Sequence, residues 1–293
     1  MSNACSVKAD RNVLPSVPAV ESNSITSGIT LRVHGSPALP ALIYLPGMHG
    51  DWTLASSFRH AVAGRVRFVE MTYPRTATWT LENYAAAIEA ELAAHGINEG
   101  WLLGESFGSQ PAWAMIARSQ RGRSSLTVHG LILAGGFVKH PWSWGAKLLR
   151  TVSRLMPRFV ARLLLRVYAA YAHFRHRHAP DTLASIDEFV RNRLGPGESE
   201  AMVRRYTLIL EDDLRPIARE MQKPVFHLAG LVDPIVPNPL VRRWLTQNCP
   251  GFRGSRTILA ADHNVLGTAP AKSAATMLAW IESVKASESV YAR

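Results

Sequence analysis

The chain has 293 residues, of which 47% are apolar and 19% are charged, a composition that excludes an intrinsically disordered protein. No apolar run approaches the roughly 20 residues that a membrane-spanning helix needs, and two cysteines, Cys5 and Cys249, exclude a disulfide framework and a cysteine-based metal site. The 33 Lys and Arg residues outnumber the 22 Asp and Glu residues and leave a net charge of +11, which favours anionic partners.

The N-terminal segment, residues 1–28, is polar and has no apolar core of the kind that a secretory signal carries. We therefore expect a loosely held tail and a cytoplasmic protein. From residue 29 onward, short apolar runs alternate with amphipathic stretches, a pattern typical of a parallel sheet with crossover helices.

The predicted strands cover residues 29–34, 41–45, 66–71, 100–103, 128–134, 224–229 and 256–260. The predicted helices between and after them cover residues 54–63, 81–95, 109–118 and 271–285. Thr80 is a suitable N-cap for the second of these helices, and Gly96 ends it. In open α/β sheets, functional sites lie beyond the carboxyl ends of the strands, so residues directly after the strands are the first candidates.

The alternation breaks between residues 137 and 216, where only helical patterns are found. These cover residues 142–156, 158–173, 182–192 and 199–210, and Pro157, Pro180 and a Gly-Pro-Gly sequence separate them. We expect an α/β core formed by residues 29–137 and 216–293, with a helical cap inserted at 138–215.

Residues 104–108 read Gly-Glu-Ser-Phe-Gly and lie between a predicted strand and a predicted helix. In this context the G-x-S-x-G pattern predicts a nucleophile elbow, a sharp turn that raises Ser106 above the end of the sheet. Small residues two positions before and after the serine keep strand and helix from colliding. Because such pentapeptides also arise by chance, the prediction depends on finding a base and an acid.

A serine hydroxyl needs a base to accept its proton, and the base needs an orienting acid. After a nucleophile elbow the acid and the base follow the serine in that order. Asp233 comes just after one predicted strand, and His263, the only histidine downstream of it, comes just after the last strand. Three strand ends thus deliver Ser106, Asp233 and His263 in the required order, although Asp233 before a proline is also typical of an ordinary turn.

The negative charge that develops on a substrate oxygen needs preplaced N–H donors. Phe107, directly after the serine, offers its backbone amide. The loop after the strand at 41–45 reads Pro-Gly-Met-His-Gly, and we predict the amide of Met48 as the second donor.

These motifs resemble those of the α/β-hydrolase superfamily. The matching residues are the loop at 46–50, the elbow at 104–108, Asp233 and His263, and the resemblance covers roughly residues 29–287. It implies a mostly parallel sheet with helices on both faces, a helical cap, and catalysis that needs no metal or organic cofactor. Pro46 departs from the pattern, because many members have a His-Gly pair there. A serine at the elbow, in place of an aspartate, disfavours haloalkane dehalogenases and epoxide hydrolases.

We therefore predict a serine hydrolase that cleaves a carboxylic ester or thioester through an acyl-enzyme. The apolar cap predicts a hydrophobic acyl or aryl group, and the candidate substrate contacts are His49, Trp142, Trp144 and Phe159. An acyltransferase, a carbon–carbon bond hydrolase or a perhydrolase would use the same triad. A non-catalytic binding protein on the same fold is the alternative of another class. Glu105 is predicted either to line the pocket or to form a hydrogen bond behind the sheet.

The cap sequence is strongly basic, with nine Lys and Arg residues and no acidic residue between 139 and 178. Its arginines recur at every fourth position, at Arg150, Arg154, Arg158, Arg162 and Arg166. The simplest interpretation is a pair of helices whose apolar face covers the pocket and whose arginine face lies in water. Two hypotheses give the arginines an anionic counterpart: peripheral attachment to an anionic membrane, and docking of an acidic acyl carrier.

Nucleic acid is disfavoured as a partner of these arginines, because no recognised binding motif accompanies the charge. Histidines 173, 176 and 178 fit no common metal-ligand spacing and lie among arginines. We predict a solvated cluster there and no metal site.

Overall fold

The computed structural model describes residues 28–175, 177, 180–193 and 195–291. The predicted tail therefore lies almost wholly outside the described residues, as do His176 and His178. Seven strands of the described part form one sheet: β1 (Thr30–His34), β2 (Ala41–Leu45), β3 (Arg67–Thr72), β4 (Glu99–Glu105), β5 (Thr127–Ala134), β6 (Val225–Val232) and β7 (Phe252–Asp262).

The strand order is β1-β3-β2-β4-β5-β6-β7. All neighbouring strands run parallel except β1, which pairs antiparallel with β3 at one edge of the sheet. The predicted fold class, a mostly parallel sheet in an α/β protein, is confirmed. The two last strands extend further than predicted, so β6 ends directly before Asp233 and β7 directly before His263.

Helices connect the strands on both faces. They are α1 (Ser56–Val62), α2 (Leu81–Ala94), α3 (Ser109–Gln120), α4 (Ser143–Leu155), α5 (Arg158–Arg175), α6 (Pro180–Asn192), α7 (Glu198–Glu211), α8 (Arg215–Arg219), α9 (Asn238–Asn248), α10 (Val265–Thr268) and α11 (Pro270–Tyr291). α2 begins at the predicted N-cap, where Thr80 and Asn83 exchange hydrogen bonds in a capping box. The sequence analysis missed α8, α9 and α10.

The core consists of two apolar layers, one on each face of the sheet. Successive side chains of a strand point to opposite faces, and β2 contributes to both layers. Ile43 and Leu45 pack with residues of α2 and α3, whereas Leu42 and Tyr44 pack with residues of α1 and α11. Burial on both faces explains why the strands read as continuous apolar runs.

Five described helices, α4 to α8, lie in the chain between β5 and β6, and the first four lie where the sequence predicted helices. α4 packs on α7, α5 packs on α6, and α6 contacts α1 of the core. None of the helices in the described part combines the length and the apolar character that crossing a bilayer takes.

Candidate active site

Ser106 lies in the turn between β4 and α3 with a backbone φ of 49°, the only positive φ among the described non-glycine residues. A left-handed backbone at a residue with a side chain is strained and marks functional sites. The positions two before and two after Ser106 require glycine, because any Cβ there would collide with neighbouring backbone atoms. A Cβ on Gly104 would lie 2.8 Å from the Cα of Ser109, and one on Gly108 would lie 2.0 Å from the carbonyl oxygen of Leu45.

The structure brings Ser106, His263 and Asp233 together at the carboxyl ends of three parallel strands. His263 Nε2 lies 2.9 Å from Ser106 Oγ, and His263 Nδ1 lies 2.8 Å from Asp233 Oδ2. Both distances are those of hydrogen bonds. The three side chains therefore form one hydrogen-bonded series from the hydroxyl to the carboxylate.

The carboxylate of Asp233 is 1% exposed and holds four hydrogen-bond partners. The amides of Ile235 and Val236 each donate to Oδ1 over 2.9 Å, and Asn238 Nδ2 donates to Oδ2 over 3.0 Å. Burial raises the pKa of Asp233, but the hydrogen bond with His263 and the backbone donors outweigh it and leave the pKa below its ordinary value. Asp233 therefore remains a carboxylate beside the imidazole.

The loop after β2, residues 46–50, lies beside the nucleophile. A Cβ on Gly47 would be 3.5 Å from the Cβ of Ser106, so the loop backbone approaches Ser106 at van der Waals distance. Met48 lines the cavity above Ser106, and Phe107 is fully buried directly after it. The two residues predicted to supply oxyanion donors thus belong to the two backbone segments next to Ser106.

Helix α7 holds this loop through Arg205, whose side chain is almost completely buried. Arg205 Nη1 donates to the carbonyl of Met48 over 2.7 Å, and Nη2 donates to the carbonyl of Pro74 over 3.3 Å. A Cβ on Gly50 would lie 2.6 Å from Nη2, so only glycine leaves room for the guanidinium. The helical pattern of α7 gave no sign that this arginine points inward.

A second cap arginine, Arg193, holds the far end of the same loop. It donates to the carbonyl of His49 over 3.2 Å and forms ion pairs with Asp51 and with Glu198 of α7. Asp51 also accepts hydrogen bonds from Thr53 at the start of the next helical turn. Asp51 thus joins the loop and Arg193 to the helical turn that follows.

A cavity of about 190 Å³ lies directly above Ser106. Its lining is mainly apolar, with Phe137 from the core and Ala146, Leu149 and Ile209 from the cap. Glu105 lines the cavity and also accepts a short hydrogen bond from the Tyr44 hydroxyl, so both interpretations of this residue hold. Burial raises the pKa of Glu105, and the bond from Tyr44 reduces that rise.

A larger cavity of about 700 Å³ lies between α5, α6 and α7. It shares His49, Leu54 and Met202 with the cavity above Ser106. Its walls are formed largely by apolar side chains of the cap, among them Leu164, Leu165, Tyr168 and Phe189. The two cavities are therefore neighbours that meet at His49 and Met202.

Of the predicted substrate contacts, only His49 lines a cavity. Trp142, Trp144 and Phe159 line neither, and they are 42%, 65% and 72% exposed. The apolar side chains of α4 and α5 that do line the two cavities include Leu149, Leu164 and Tyr168. Ala146, the buried residue of α4, lines the cavity above Ser106.

The predicted arginine series lies on α4 and α5. Arg154, Arg162 and Arg166 are exposed, and Arg150 is half-buried. Arg158 begins α5, but its side chain lies outside the described part of the chain. No described group of His, Cys, Asp or Glu side chains could hold a metal ion.

Sequence reasoning missed His140, which lies in the same cavity as Ser106 and His263. It lines the cavity, and its ring nitrogen Nδ1 accepts a hydrogen bond from the amide of Trp142 over 3.1 Å. Burial lowers the pKa of His140, which favours the neutral imidazole. No motif marks this residue in the sequence.

Comparison with known proteins identifies the fold. No family profile and no curated protein matches the sequence. Among solved structures, a thermophilic esterase from Thermogutta terrifontis has a TM-score of 0.67 at 19% identity and covers 92% of this chain and 99% of its own. An α/β hydrolase from a Medee basin deep-sea metagenome library has a TM-score of 0.69 at 13% identity, with coverages of 87% and 94%. The enol-lactonase from Burkholderia xenovorans LB400 has a TM-score of 0.64 at 16% identity, with coverages of 88% and 96%.

Proposed function

The chain has the α/β-hydrolase fold, and we propose that it is a serine hydrolase acting on a carboxylic ester or thioester with a hydrophobic acyl or aryl group. The observation that carries this proposal is the hydrogen-bonded series Ser106–His263–Asp233, with Ser106 in a strained turn at the floor of an apolar cavity. A triad is recognised by this geometry and by these roles.

In the proposed reaction Ser106 Oγ attacks the substrate carbonyl while His263 Nε2 accepts the hydroxyl proton. His263 then gives that proton to the leaving alcohol or thiol as the carbon–oxygen or carbon–sulfur bond breaks. Asp233 accepts a hydrogen bond from Nδ1, which fixes the tautomer and stabilises the imidazolium. A water molecule deprotonated by His263 attacks the acyl-enzyme and releases the acid with Ser106 restored.

The amides of Met48 and Phe107 are the proposed donors to the oxyanion. They belong to the segments on either side of Ser106, and Arg205 and Arg193 hold the Met48 segment from the cap. Preorganised donors contribute to the rate because they need no rearrangement when charge develops. The cap would thus take part in catalysis by fixing the loop as well as by covering the site.

The shape and polarity of the two cavities support an apolar acyl or aryl group. The cavity above Ser106 has a mainly apolar lining and adjoins the 700 Å³ cavity at His49 and Met202. An acyl chain bonded to Ser106 could extend past these residues into the second cavity. The fold neighbours include an esterase and an enol-lactonase, and a lactone is a cyclic ester.

The test is covalent labelling with a fluorophosphonate probe, followed by mass spectrometry of the adduct. We expect an adduct on Ser106, none in Ser106→Ala, and a loss of about 10⁴-fold in labelling rate in His263→Ala. Circular dichroism of each variant shows that the protein is folded. A folded wild-type protein that neither reacts with the probe nor cleaves esters and thioesters of short and long acyl chains would support the binding-protein alternative instead.

A further inference from the structure

Two consecutive cap helices, α4 and α5, expose large apolar side chains to solvent. The side chains recur every three or four residues, which places them on one face of each helix. Their exposed fractions range from 41% to 72%. This exposed apolar stripe consists of Trp144, Leu148, Val152 and Leu155 of α4 and Phe159, Leu163, Val167, Tyr171 and Phe174 of α5.

Exposed basic side chains flank the stripe. Successive residues of a helix are about 100° apart, so four basic residues lie roughly a quarter to a third of a turn from the centre of the stripe. They are Lys147 and Arg154 of α4 and Arg162 and Arg166 of α5. Within the described residues, none of these four forms an ion pair with a carboxylate. The side of the stripe on which these residues lie therefore carries positive charge that no described ion pair compensates.

An apolar patch of this extent marks an interaction site, and the charge around it selects the partner. A second copy of the chain would bring two strongly positive faces together. An acidic carrier protein would neutralise the positive charge, but it would place Phe159, Leu163 and their neighbours against a polar surface. A membrane of anionic phospholipids offers phosphates for the arginines and acyl chains for the stripe at the same depth.

We propose that α4 and α5 lie flat on an anionic phospholipid membrane, with the exposed apolar stripe among the acyl chains and the flanking arginines on the phosphates. Long basic side chains reach the headgroups while their stems cover apolar surface. In this arrangement both helices lie at the surface of the bilayer and do not enter its centre.

The docking face adjoins both cavities. Leu149 of α4 lines the cavity above Ser106 and is 38% exposed, and Leu164 and Tyr168 of α5 line the second cavity and are 52% and 41% exposed. A lipophilic ester would pass from the membrane toward Ser106 along these residues. This consequence, unlike the docking itself, rests on the proposed hydrolase function.

The experiment is co-sedimentation of the full-length protein with phosphatidylcholine vesicles, with and without about one third phosphatidylglycerol. We expect binding to the anionic vesicles and a loss of roughly 25-fold in Arg162→Gln/Arg166→Gln, at about fivefold for each charge. The variant Phe159→Ser/Leu163→Ser/Val167→Ser should lose about 100-fold or more. Ser106→Ala should bind as the wild type does, which separates docking from catalysis.

The control variants remove arginine charges or an apolar side chain from the surface outside α4 and α5. Arg121→Gln/Arg123→Gln removes two exposed charges at the end of α3 that is remote from Ser106, and Leu259→Ser removes an apolar side chain that is 73% exposed on β7. Both should bind as the wild type does. Failure of the folded wild type to sediment with anionic vesicles, or equal losses in the controls, would overturn the proposal. So would a stripe-dependent dimer in ultracentrifugation, or salt-sensitive binding to an acidic acyl carrier protein without vesicle binding.

Discussion

Arg205 donates a 2.7 Å hydrogen bond to the carbonyl of Met48, which joins the most buried arginine of the cap to the loop beside the nucleophile. The guanidinium lies 5.6 Å from the ring of Tyr73 and 6.0 Å from that of Phe107. These contacts surround a cation with aromatic faces and carbonyl oxygens. A buried charge held in this way costs desolvation free energy, and its position suggests that it is retained to fix the loop.

Replacing Arg205 by Met should lower kcat by about 10-fold to 100-fold with little change in KM. The reason is that a shift of about 1 Å in the Met48 amide weakens an interaction made only in the transition state. Steady-state kinetics with a soluble ester, together with the rate of fluorophosphonate labelling, measure the effect. Arg205→Lys should recover part of kcat, because an ammonium can still donate to the Met48 carbonyl.

Arg204→Met is the matched control for Arg205. Its side chain comes from the same helix, but it donates to the carbonyl of Trp79 over 2.8 Å and not to the loop. It should leave kcat near the wild-type value. A kcat in Arg205→Met that equals that of Arg204→Met, with both proteins folded, would contradict a positioning role for Arg205.

Met202 lies where the two cavities meet, and a larger side chain there should shorten the accepted acyl chain. Met202→Trp should reduce kcat/KM for long-chain esters by about 10-fold or more while changing that for acetate esters only a few fold. A series of p-nitrophenyl esters of increasing chain length measures this, with the acetate as the internal control. A uniform loss over the whole series would show that the second cavity does not receive the acyl chain.

The proximity of Ser106, Asp233 and His263 could be predicted from the sequence, because three strand ends and a required order restrict the choice. A parallel sheet brings the residues after β4, β6 and β7 to one edge, so Ser106, Asp233 and His263 had to be neighbours once those strands were recognised. The two glycines of the elbow added an independent steric signal, which the distances from Gly104 and Gly108 explain.

The packing of helices α4 to α7 could not be predicted in the same way. Periodicity identifies an apolar face of a helix but does not show what that face packs against. Trp144 and Phe159 lie on such faces and are exposed, whereas the buried residue of α4 is the small Ala146. Arg205 shows the opposite case, since an arginine in an amphipathic helix is expected in water. Its burial depends on Met48 and Gly50, which are more than 150 residues away in the sequence.

His227 of β6 should make the protein sensitive to mild acid. It is 2% exposed, and burial lowers its pKa from 6.5 to about 4. Between these two values the unfolded chain binds a proton that the folded chain does not. Protonation of His227 in the unfolded chain therefore lowers the free energy of unfolding as the pH falls from 6.5 toward 4. The total loss is about 3 kcal/mol, and above pH 6.5 there is none.

The measurement is the free energy of unfolding in urea at several pH values between 7 and 4, for the wild type and for His227→Leu. Leucine has a similar volume and does not titrate. The variant should show a shallower fall in stability over this range, whatever its stability at pH 7. Parallel curves for the two proteins would mean that other groups, such as His49 and His140, whose pKa values burial also lowers, carry the effect.

Ser106 should cost the protein stability, because its φ of 49° is unfavourable for any residue that has a Cβ. Ser106→Gly should therefore be more stable than Ser106→Ala by about 1 kcal/mol, although both lack the hydroxyl and neither should be labelled. Thermal or urea unfolding of the two inactive variants measures the difference. Comparing them with each other removes the effect of the lost hydrogen bond to His263, so equal stabilities would show that the turn is unstrained. A stabilised glycine variant would mean that the elbow holds the nucleophile in place at the expense of folding stability.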